Sequence, residues 1–163
     1  MPEPSDRDRE VLTAYVRTLG DQLGLRDWDI WLGDWLPPAD DKKAEYTPTP
    51  GDRHTYINFA SDIREWSLEK LRSIVVHELV HLHLCDLGEI VRSDIHDAHL
   101  IRQQEYELIW AAFYRARELA VNGISRAIAG FFPLIEWERA PDALDCADPL
   151  LPGNAILSIE HPM

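Results

Sequence analysis

Apolar residues recur every three or four positions early in the chain, at Val11, Leu12, Tyr15, Val16, Leu19 and Leu23. That spacing puts them on one stripe of a helix. Ser5 offers a capping oxygen before it and Gly24 a stop after it, so the pattern predicts a helix from Ser5 to about residue 23. The period then shortens to two. Trp28, Ile30 and Leu32 share one face of a strand over 27–32, and Pro37-Pro38 breaks it. Ala44-Glu45-Tyr46 reads as a short second strand, and Thr47-Pro48-Thr49-Pro50-Gly51 as a turn. Residues 53–59 alternate again, with Thr55, Ile57 and Phe59 on one face.

Ser67 caps the next helix, from 68 to about 86, with Glu69 in its first turn where the helix dipole favours an acid. Leu71, Ile74, Val75, Val76, Leu79, Val80, Leu82 and Leu84 make it apolar nearly all round, which predicts burial. Gly88 ends it. A polar loop is expected over 89–97, and a long helix from 98 to about 129, with a bend at Asn122-Gly123. Prolines 133, 141, 149, 152 and 162 then crowd together with acids. The division expected is a domain over 1–136 and a Pro-rich acidic tail over 137–163. The order of elements implies an α+β fold, with a small antiparallel sheet packed against two long helices.

Composition narrows the function classes. A chain of 163 residues, 45% hydrophobic and 28% charged, is long enough to bury one core. Its net charge of −13 repels phosphate backbones, so no nucleic-acid partner is expected. No apolar run is long enough to span a membrane. The N-terminus is acidic and lacks the apolar core of a signal peptide. Two cysteines, Cys85 and Cys146, are too few for a disulfide framework. The expected setting is the cytoplasm, that of a host cell if the chain is phage-encoded.

The buried helix carries His77-Glu78-Leu79-Val80-His81, an HExxH motif. With His77 at 0° and about 100° per residue, His81 falls near 40° and Glu78 near 100°, so all three share one arc. Two imidazoles one turn apart can converge on one Zn²⁺, and Glu78 beside them can take a proton from a water. Polar side chains are costly on a buried apolar helix, and three at ligand spacing need a reason. His83 falls near 240°, on about the opposite side. Cys85 faces the right way but lies roughly 12 Å along the axis from His77, too far for one metal. Leu84 and Leu87 stand where a metzincin would need a glycine and a third histidine.

A third ligand must come from elsewhere. Glu105 and Glu107 sit among Arg102, Gln103 and Gln104, on a face that reads as solvated. Glu118 lies near Ala111, Ala112, Ala116 and Ala120, whose small side chains would let its helix approach the motif helix closely. A buried acid there needs a partner, and a metal is one. Asp94, His96, Asp97 and His99 remain alternatives, and a salt bridge with Arg115 or Arg117 is the competing role for Glu118.

The run from Ile74 to His83 resembles the core of small phage and prophage metallopeptidases, allied to the minigluzincins. Leu23 to Ile30, Thr55 to Phe59, Glu118 to Ile124, Ala127 to Ala129 and Pro133-Leu134 are similar too, so the resemblance spans roughly residues 10–137. It implies a zincin-like core in which His77, His81 and Glu118 hold zinc and Glu78 is the general base. It also implies that the strand over 53–59 is the edge on which a peptide pairs. The long interval from His81 to Glu118 departs from that pattern. SprT-like proteases use a third histidine, which would bring in His96 and His99.

The expected activity is zinc-dependent hydrolysis of peptide bonds in a peptide or protein substrate, through a water activated by the metal and Glu78. Tyr114 or His54 would steady the oxyanion. Two rivals are a non-catalytic zinc-stabilised phage protein that binds another protein, and a hydrolase of a different amide. The tail could lie over the site and offer a fourth ligand, with Cys146 ahead of Asp145, Asp148 and His161. Its alternative role is to cover an apolar face through Leu144, Leu150, Leu151 and Ile156.

Overall fold

The computed structural model describes residues 4–37, 43–49, 51–97 and 101–137. The tail beyond Trp137, with Cys146 and His161, lies outside the described residues, as do His99 and the side chains of Asp94 and His96.

Helix α1 (Asp6–Gln22) starts where Ser5 predicts. The Ser5 hydroxyl accepts from the Asp8 backbone N–H at 3.2 Å, and the Asp8 carboxylate accepts from the Ser5 N–H at 3.0 Å. This reciprocal pair satisfies two otherwise orphaned donors. Leu12, Tyr15, Val16 and Leu19 are buried, as their spacing requires. Strand β1 (Asp29–Leu32) follows, then β2 (Ala44–Thr49) and β3 (His54–Phe59). In β3 the alternation is complete, with Thr55, Ile57 and Phe59 at or near zero exposure.

The fold is α+β, but the sheet is mixed rather than antiparallel. Its order is β1-β3-β2, with β1 parallel and β2 antiparallel to β3. Two expectations change with it. The segment 47–49 continues β2 instead of turning, and the reversal falls on Gly51 to Arg53, where Gly51 and Arg53 both take positive φ. Strand β3 is central, so it cannot be the edge that receives a peptide. The edges are β1 and β2. On β1 the outward carbonyls are taken: Arg17 Nε donates to Ile30 O at 3.2 Å, and an Arg9 guanidinium nitrogen donates to Leu32 O at 3.4 Å and to Gly33 O just past the strand at 2.6 Å. On β2 the carbonyl of Lys43 accepts from Ala60 N. By antiparallel alternation, Ala44, Tyr46 and Pro48 then turn their backbone groups outward, where a proline costs no ladder bond.

Helix α2 (Leu68–His83) is capped by Ser67 and buries Leu71, Val75, Val76, Leu79, Val80 and Leu82. The chain remains helical past Leu84. A short α3 (Cys85–Glu89) leads into a π-helical stretch (Ile90–Asp97) where a polar loop was expected. Ser93 and Arg92 bond back to Glu89, local contacts that support that turn. Helix α4 (Gln103–Ile128) runs uninterrupted through Asn122-Gly123 and packs along α2. The small residues do not make this contact: Ala111, Ala112, Ala116 and Ala120 are exposed, whereas Val121 and Ser125 are buried. After α4 the chain turns back over the core. The Tyr15 hydroxyl donates to Pro133 O, Arg72 donates to Phe132 O, and Ile135 is buried. Among the described residues, no helix is long and apolar enough to cross a membrane.

Candidate metal centre

Helix α2 brings His77 and His81 to one face, and α4 lays Glu118 across from them. His77 Nε2 and His81 Nε2 are 3.1 Å apart. Glu118 Oε1 is 3.3 Å from His81 Nε2, and Glu118 Oε2 is 3.8 Å from His77 Nε2. Ligands held tetrahedrally at about 2.0–2.1 Å from one zinc would lie ~3.3 Å from one another. The three separations bracket that value, so the donor set fits a single ion of that size. His81 is nearly buried, and its Nδ1 has no hydrogen-bond partner among the described residues, so packing holds that side of the ring. Tyr46 of β2 supplies that packing, with its ring stacked on His81 at 4.8 Å between centroids.

Electrostatics keep both imidazoles in the form that ligates. Burial lowers the pKa of His77 against the opposing pull of Glu118. Burial, the neighbouring His77 and the Arg117 cation bring His81 down to about 3. Neutral imidazoles beside a carboxylate form an N₂O donor set of the kind zinc takes. Burial likewise raises the Tyr46 hydroxyl to about 12, so it stays protonated.

The cluster opens on a cleft of about 460 Å³, whose walls include Glu78, Tyr46, Pro48, Tyr114 and Arg117. Glu78 is buried but lines this cleft beside the two histidines. Of the other candidates, Glu105 accepts from the Arg102 backbone at the start of α4 and Glu107 bonds Gln103, so neither joins the cluster. Glu118 forms no ion pair with Arg115 or Arg117. His83 points away, bonding Leu23 O at 3.0 Å and tying α2 to the end of α1. Cys85 is buried outside the cluster. His54 pairs with Asp29 and lies off the cleft, whereas Tyr114 lies on it. Sequence reasoning missed Tyr46 and Arg117. Alternation along the full β2 places the Tyr46 side chain on the inner face, beside Ile57 of β3, and would have pointed to it had the strand been read past residue 46. Arg117 carries no local signal beyond its place next to Glu118.

Searches against protein-family models, curated proteins and solved structures find no match to this chain.

Proposed function

We propose that the protein is a zinc-dependent peptidase with a zincin-like core, in which His77, His81 and Glu118 hold the metal. The observation that carries this reading is the three-donor set at the floor of an open cleft with Glu78 beside it. Structural zinc sites close with four protein ligands, whereas catalytic sites keep one position free. Zinc, when bound, would polarise the scissile carbonyl and acidify the attacking water. Glu78 accepts the proton from that water and passes it to the leaving amine. The Tyr114 hydroxyl, on the cleft wall, donates to the carbonyl oxygen as it gains charge. A peptide is held extended along β2, whose outward backbone groups at Ala44 and Tyr46 have no partner among the described residues and can pair with it as an added strand.

The test is metal analysis beside a generic peptide-cleavage assay, on the wild type and on Glu78→Gln. The expected result is about one zinc per chain in both proteins and a loss of ~10²–10⁴-fold or more in the variant's rate. Equal rates would overturn the mechanism. A wild type that holds zinc but cleaves nothing would mark a zinc-stabilised binding module instead.

A further inference from the structure

Arg117 is an anomaly in an acidic chain. Of the half-buried arginines, Arg53 meets a carboxylate, and Arg9 and Arg72 each donate to a backbone carbonyl. Arg117 does neither among the described residues, and its Nε is shielded from solvent with no acceptor. A buried guanidinium N–H left unmatched is costly. Three rings hold the group in place: Tyr114 at 5.2 Å, Phe113 at 5.9 Å and Tyr46 at 6.0 Å from its central carbon. Two of those rings also wall the cleft over the histidine–glutamate cluster, and Arg117 itself lines it. The result is a cation braced by aromatic rings on the cleft wall, whose Nε–H meets no acceptor among the described residues.

We infer that Arg117 is a specificity-determining residue that binds a carboxylate of the substrate beside the scissile bond; the inference rests on the peptidase reading. A guanidinium pairs with a carboxylate through two parallel N–H···O bonds, and aromatic stacking organises it for that role beforehand. A singly charged carboxylate suits the cleft better than a phosphate dianion, because Glu45, Glu78 and Glu118 also line it and repel the larger charge more strongly. The carboxylate has two sources, an acidic side chain or the peptide's own C-terminus.

The experiment uses zinc-loaded Glu78→Gln protein and three fluorescent decapeptide pools, randomised except at one central position. The first has glutamate there and an amidated end, the second glutamine and an amidated end, and the third glutamine and a free C-terminal carboxylate. Binding of the first pool about tenfold or more tighter than the second assigns a side-chain carboxylate, and the same gain in the third assigns the terminus. Adding Arg117→Gln should bring the favoured pool to within about twofold of the second. Three pools that bind alike, or a preference that survives Arg117→Gln, would overturn the inference. If Arg117→Gln loses its zinc or its fold, Arg117→Lys decides. A reduced preference supports the bidentate contact, and an unchanged one refutes it. Wild-type hydrolysis of the same pools separates the two claims. Carboxylate-selective binding without cleavage overturns the peptidase reading alone. Cleavage without selectivity overturns the role of Arg117 alone, and binding of no pool overturns both.

Discussion

Glu118 is the member of the cluster whose role can be separated most cleanly from folding. His81 is nearly buried on a core helix, so its replacement disturbs packing as well as ligation, whereas the Glu118 side chain is 28% exposed. Glu118→Gln preserves shape but removes the charge and one strong acceptor. We expect zinc affinity to fall by more than the roughly 10–100-fold that loss of an outer-sphere partner costs, with the thermal stability of the metal-free protein nearly unchanged. Glu105→Gln, at the start of the same helix, should leave affinity as it was; competition with a chromogenic chelator measures both. At this scale the motif was legible because His77, Glu78 and His81 stand on an otherwise apolar helix, where polar residues need a reason. Glu118 was legible in position but not in cause. The alanines that pointed to it face solvent, and the contact with α2 runs through Val121 and Ser125, a stripe that four-residue spacing from Arg117 would also trace. Tyr46 escaped notice because a strand read over three residues is too short to show its buried face, and Arg117 because a basic residue beside an acid reads as a surface ion pair.

Elements were read from period, and period says nothing about direction. Alternation in β1 and β3 located both strands and their buried faces, yet parallel and antiparallel pairing satisfy the same alternation. The mixed order was therefore out of reach, and with it the identity of the open edge. Caps are more informative, because they depend on local chemistry. Ser5 and Asp8 form a closed pair at the start of α1, and α1 packs against both β1 and α2. Ser5→Ala should cost about 1 kcal/mol at neutral pH, measured by urea unfolding. The loss should shrink in acid. Burial raises the Asp8 pKa, but the Ser5 hydrogen bonds together with Arg64 and Arg7 outweigh it and leave a net lowering from 3.8. A carboxyl lowered in the folded state contributes stability above its unfolded pKa, and that contribution fades as pH falls through the folded value. The difference between Ser5→Ala and wild type should therefore be full at pH 7 and narrow well below pH 3.8. A difference constant down to the acid transition would show that the bond between the Ser5 hydroxyl and the Asp8 carboxylate contributes nothing to the cap.

Across the whole molecule, the candidate ligands join the two halves of the fold. His77 and His81 belong to the core helix, and Glu118 to the helix that closes over it, so an ion bound to all three links α2 to α4. Such binding acts only on the folded state and adds its free energy to stability. At a free zinc concentration about 100 times Kd the gain is ~2.7 kcal/mol, or roughly 5–11 °C in Tm for a chain of this size. A net charge of −13 complicates the reading, because any divalent cation is drawn to so acidic a surface and relieves its self-repulsion. The controls follow from donor chemistry. Calcium prefers oxygen and should give only the small non-specific rise, whereas zinc should give that rise plus the specific one. In the His77→Ala, His81→Ala double variant, zinc should do no more than calcium. Scanning fluorimetry with a chelator, calcium or zinc distinguishes these cases. Equal shifts from the two metals in the wild-type chain would mean that the cluster is a histidine–carboxylate contact with no ion of its own.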